Sequence, residues 1–122
     1  MALARNIMKG GWSAGNARAV NGNVATGLTA AGTVITDALD LQADTNVIDT
    51  VAASTGVQLP SGEIGDSVEI YNSGANSLKV YPDSATNTVN ELSAGTAFLL
   101  ASNTSCYVRK VSATRWIAFL SA

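Results

Sequence analysis

The chain has 122 residues, a length that suits one domain with a sizeable hydrophobic core. It carries no histidine, one cysteine, 13% charged residues and a formal net charge of −2, against 47% apolar residues. These figures exclude an internal disulfide framework and histidine-based acid–base or nucleophilic chemistry, and they speak against the usual basic footprint of a nucleic-acid binder.

Residues 1–28 show no sustained period, and glycines at 10, 11, 15, 22 and 27 break any helix. The segment nevertheless holds Met8 and Trp12, large apolar residues that a disordered tail usually lacks. It is expected to be an extended arm that packs on the body or on a neighbour, with the body spanning residues 29–122.

Strand signals begin near residue 33. Val34 and Ile35 lead to Leu39 and Leu41, which share a face. Asn46–Val51 is β-branched, and Gly56–Leu59 alternates until Pro60, which cannot donate to a ladder, ends it. Ser67–Tyr71 places Val68 and Ile70 inward and Glu69 and Tyr71 outward. Loop residues 72–76 then read as the turn of a hairpin that returns through Ser77–Tyr81, with Leu78 and Val80 inward. Thr88–Leu92 is a weaker strand. Ala97–Leu100, Cys106–Val111 and Trp116–Leu120 follow, the last expected to be tied into a sheet or an interface.

Short strands at this spacing, without a helix, predict an all-β fold: an antiparallel β-sandwich or a jelly-roll-like barrel with an extended N-terminal arm. No internal repeat is visible, which speaks against a solenoid. No stretch approaches the roughly 20 apolar residues of a membrane-spanning helix, and no signal peptide is visible. Synthesis in the cytoplasm without membrane attachment is therefore expected.

The charges are unevenly placed. Arg5, Lys9 and Arg18 stand in a stretch without acids. All nine acids lie between residues 37 and 91, with Lys79 as the one base among them. A basic arm and an acidic body could orient neighbouring copies in an assembly. Arg5, Met8, Lys9, Trp12 and Arg18 are accordingly the candidate interface residues, and Trp12 is their anchor because Trp is enriched at interface hot spots.

Candidate chemistry is thin. Gly11–Gly15 reads Gly-Trp-Ser-Ala-Gly and fits the nucleophile-elbow pattern, but the strand, the helix and the histidine it needs are missing. Asp37, Asp40 and Asp44 lack the order of a calcium loop. Cys106 reads as a buried, inert thiol. No catalytic residue, metal ligand or cofactor site is expected.

Two stretches carry a resemblance: Thr45–Ala53 with Gly56–Pro60, and Gly65–Pro82. The run Leu92–Gly95 through Phe98 and the closing Ala113–Trp116 add to it, so that it covers roughly residues 45–116. The pattern is similar to structural proteins of tailed bacteriophages, above all capsid decoration (cement) proteins. The resemblance implies a β-sandwich assembled as a homotrimer, fixed to the capsid surface of the virion, with the major capsid protein as partner and no catalytic residues. A tail or fibre module with receptor or glycan binding is the alternative.

Overall fold

The computed structural model describes residues 22–121. Ten strands run in order: β1 (Val24–Thr29), β2 (Leu39–Asp40), β3 (Thr45–Thr50), β4 (Gly56–Gln58), β5 (Ser67–Asn72), β6 (Leu78–Tyr81), β7 (Thr88–Val89), β8 (Phe98–Leu100), β9 (Thr104–Lys110) and β10 (Arg115–Leu120). One 3-10 turn, Ile35–Asp37, interrupts them, and the described residues contain no α-helix. The all-β expectation holds. Val34 and Ile35 lead into this turn instead of opening a strand.

The strands form a six-stranded sheet, β1-β3-β5-β9-β10-β7, and a four-stranded sheet, β2-β4-β6-β8. From β1 to β6 the chain alternates between the sheets and stacks coil upon coil. Each strand therefore lies parallel to its counterpart in the next coil: β1 to β3, β3 to β5, β2 to β4 and β4 to β6. Val24 sits beside Thr45, which sits beside Glu69; Leu39 sits beside Val57, which sits beside Val80. Parallel neighbours need a crossover, and here the crossover is a strand of the opposite sheet. The path is solenoid-like, which corrects the antiparallel expectation for this half of the chain.

The C-terminal part turns antiparallel. β8 returns along β6, β9 along β5, and β10 along β9, while β7 pairs parallel with β10 at the far edge. β1, which begins inside the segment 1–28 read from sequence as an arm, is the other edge of the six-stranded sheet.

One apolar core lies between the sheets. Ile48, Ile70, Val108 and Trp116 enter it from the six-stranded sheet, and Val57, Leu78, Val80 and Leu100 from the four-stranded one. The alternation seen in sequence explains the faces: Val68 and Ile70 are buried while Glu69 and Tyr71 are exposed.

The expected hairpin from β5 to β6 is instead a corner between the two sheets, and its chemistry explains why. Asn72 is fully buried; its Nδ2 donates to the Asn76 carbonyl at 2.9 Å and to the Leu100 carbonyl at 3.0 Å, and its Oδ1 accepts from Gly74 N at 2.9 Å. Asn76 Nδ2 donates to the Val51 carbonyl at 2.8 Å, tying this corner to the one below. The side-chain amides satisfy backbone groups that no ladder reaches. A Cβ on Gly74 would lie 2.7 Å from Val51 Cγ2, so the corners can stack this closely only with glycine there. Gly74→Ala should lower stability by about 1–3 kcal/mol, the usual range for overpacking, read as a reduced urea midpoint with an unchanged slope.

Candidate interaction surface

The outer face of the six-stranded sheet carries the most distinctive surface chemistry. Residues that alternate with the core point outward and line up across strands. One row runs Val24, Thr45, Glu69, Tyr107, Phe119 through β1, β3, β5, β9 and β10. A second runs Val47, Tyr71, Ser105. Tyr71 is 39% exposed, Tyr107 36%, Phe119 55% and Leu120 60%, high values for side chains of this size. They border an open groove of about 410 Å³ that Thr45 and Glu69 close on one side.

The rows are locally ordered. The Tyr107 and Phe119 ring centroids are 6.1 Å apart at 50°, within the range of tilted aromatic pairs. Thr45 Oγ1 donates to Glu69 Oε1 at 3.1 Å, fixing the carboxylate beside the rings. Ser121 N donates to the Ser105 carbonyl at 2.9 Å, and Ser105 N to Ser121 Oγ at 3.1 Å, so the end of β10 is tied down although Phe119 faces outward and Leu120, at the strand's end, is exposed. The groove offers ring faces, a carboxylate and hydroxyls. That set suits an apolar or basic protein segment, since cations are attracted to ring faces as well as to the carboxylate.

A second constellation is buried. Lys110 Nζ donates to Asp83 Oδ2 at 3.0 Å and to the Gly62 carbonyl at 2.7 Å, and lies 5.8 Å from the Trp116 ring centroid. Asp83 Oδ1 accepts from Asn87 Nδ2 at 2.6 Å and from Trp116 Nε1 at 3.0 Å. Burial pushes the Asp83 carboxyl up, but the hydrogen bonds from Asn87, Trp116 and Lys110, with the Lys110 charge, outweigh it and hold the carboxyl below its usual value. Both carboxylate oxygens already accept these bonds, and the ammonium is held by the pair and by Gly62. The group acts as a clamp joining β9, β10, the loop before β5 and the loop after β6.

Cys106 lies in β9 on the core side, beside Ile70 of β5 and Leu120 of β10. Burial pushes its thiol up to about 12. It should react with a maleimide at neutral pH only as fast as the fold opens, and at least tenfold faster in denaturant, because the thiolate is the nucleophile. A thiol that labels at the same rate in both conditions would contradict this placement.

The interface residues read from sequence, Arg5, Met8, Lys9, Trp12 and Arg18, lie outside the described residues, as does the Gly11–Gly15 pattern. Asp44 Oδ2 accepts from Asn23 N at 2.9 Å, and Asp37 sits in the 3-10 turn. Among the described residues no group of three His, Cys, Asp or Glu side chains could hold a metal ion, and no helix is long and apolar enough to cross a membrane. Sequence reasoning had Glu69 and Tyr71 outward but missed their alignment with Tyr107 and Phe119, which only the strand order β5-β9-β10 creates.

The chain matches no protein-family model, no curated protein and no solved structure.

Proposed function

We propose that this protein is a tailed-bacteriophage capsid decoration protein, a homotrimer on the outer surface of the shell that bridges neighbouring major capsid proteins. The aromatic rows on the outer face of the six-stranded sheet carry this reading. Exposed apolar strips with a polar rim mark protein contact sites, and this one sits on a sheet instead of a loop, so little ordering opposes docking. The stretches that resemble phage structural proteins supply β3 with its corner, the β5–corner–β6 unit, and the lead into β10.

The mechanism is linkage. A protein that binds the assembled shell and not its dissociated subunits stabilises the shell by mass action, and many modest contacts repeated over a lattice add up. No step needs a catalytic group. Arg5, Met8, Lys9, Trp12 and Arg18 add a second contact through the arm.

Co-sedimentation with purified expanded shells tests the reading. The full chain should pellet with shells, and Phe119→Ser should weaken that at least tenfold, since truncating an interface anchor costs about 2 kcal/mol or more. Phe119 is exposed, so the variant should fold. Undiminished pelleting of Phe119→Ser would remove the rows from the contact, and failure of the full chain to pellet would remove the decoration reading. The same rings, hydroxyls and carboxylate also suit a sugar, which favours the tail or fibre reading as the alternative. Reproducible binding to one sugar class on a glycan array would support it.

A further inference from the structure

We propose that in the free protein the aromatic rows are the docking site of the chain's own N-terminal segment, residues 1–21. The rows leave Tyr71, Tyr107 and Phe119 open to solvent on one face, and such a strip favours a cover. Where the chain leaves this segment is fixed by the structure. Asn23 N donates to Asp44 Oδ2 at 2.9 Å, and Thr45 N donates to the Asn23 carbonyl at 3.0 Å, so the chain is held at the head of the Val24–Thr45–Glu69–Tyr107–Phe119 row. Gly22 there has a φ of +93°, a backbone that reverses direction easily only with glycine.

Reach and charge agree. Crossing from β1 to β10 takes four strand spacings, about 19 Å. The ten residues from Trp12 to Asn21 extend to at most about 35 Å, so Trp12 can reach the Tyr107–Phe119 pair without strain. The segment contains Arg5, Lys9 and Arg18 and no acid, while the face it would cross presents Glu69 and Asp49 against Arg109, with Arg115 at its edge paired to Glu91. Trp12 and Met8 match the rings, and the cations match the carboxylates. A tethered segment acts at an effective concentration in the millimolar range, so at micromolar protein the chain's own segment outcompetes a second copy. The inference concerns the free protein and does not depend on the capsid reading.

The test uses the full chain in solution, with a nitroxide on Ser13→Cys beside the retained Trp12; buried Cys106 does not take up the label in the folded protein. Amide signals of Tyr107 and Phe119 should lose most of their intensity, while Leu99, exposed on the four-stranded sheet, keeps its own. Phe119→Ser or 0.5 M salt should restore the Tyr107 signal. Mixing isotope-labelled chains without nitroxide and spin-labelled chains without isotope should give no loss. Unchanged row signals in the labelled chain would overturn the proposal, and so would loss only in the mixed sample, which would assign the rows to a second copy. Retained loss at Tyr107 in both the Phe119→Ser chain and high salt would overturn it as well. Shell co-sedimentation is a separate readout, so either reading can fail without the other.

Discussion

Lys110→Met should destabilise the fold by about 3–5 kcal/mol, the cost of leaving one partner of a buried ion pair without its counter-charge. The Lys110 and Asp83 side chains are only 8% and 6% exposed, so water cannot replace the lost contact. The variant keeps length and apolar bulk but strips Asp83 of its cation and the Gly62 carbonyl of its donor. Asp83→Asn should cost a similar amount by the converse route, an ammonium buried beside a neutral amide. The exposed pair Arg115–Glu91, 3.3 Å apart with side chains 44% and 82% exposed, is the contrast. Solvent screens that pair, and Arg115→Ala should change the urea midpoint very little.

The clamp also sets the response to acid. Asp83 is held below its usual value in the folded protein, so its contribution is present above the unfolded carboxyl pKa and is lost as pH falls through the folded one. The wild-type chain should therefore lose stability below about pH 4. In Lys110→Met the cation that lowers the carboxyl is gone, so this part of the acid loss should shrink. Urea midpoints at several pH values measure both. An identical pH slope in the two proteins would show that Asp83 is not held by Lys110.

How far the sequence spoke differs from element to element. β3, β5 and β9 were legible because β-branched and apolar residues alternate there with polar ones, and burial follows that alternation; β6 and β10 were legible as short β-branched and aromatic runs of strand length. The coils were not legible, because the residues that stack are chemically unlike. Ala25, Asn46 and Ile70 sit side by side, as do Leu28, Ile48 and Asn72. A solenoid whose equivalent positions hold Ala, Asn and Ile leaves no repeat to find. β1 was hidden by Gly27, at a φ of +67°, and by shifts of register on either side of Leu28. The β5–β6 corner uses Asn, Ser and Gly, the residues of a hairpin loop, and only the burial of Asn72 tells the two apart.

The two candidate constellations were harder still. The clamp draws Gly62, Asp83, Asn87, Lys110 and Trp116 from separate stretches, each unremarked in its own context. The rows depend on which strands are neighbours, and period-two alternation is silent on that. Phe119 and Leu120 read as residues of a strand tied to a sheet or an interface; the strand is tied to β9, with Phe119 facing outward and both side chains exposed.

Trp116→Ala is the second large expected effect and the one that shows how the clamp and the core depend on each other. Trp116 is fully buried, and removing a buried Trp side chain costs about 3–5 kcal/mol through lost burial and the cavity left behind. Here the loss has a polar component too. Trp116 Nε1 is one of the two donors to Asp83 Oδ1, and the indole face lies beside the Lys110 ammonium. Trp116→Phe separates the components: it keeps most of the apolar volume and a ring face but removes the donor. It should cost about 1–3 kcal/mol, the penalty for a buried acceptor losing a hydrogen bond. Because Trp116 and Lys110 share Asp83, their effects should not add. A cycle through Trp116→Phe, Lys110→Met and the double variant should show coupling of at least about 0.5 kcal/mol by urea denaturation. Strict additivity would mean that the indole donor and the ammonium act on Asp83 independently, and that the clamp is a set of separate bonds, not one unit.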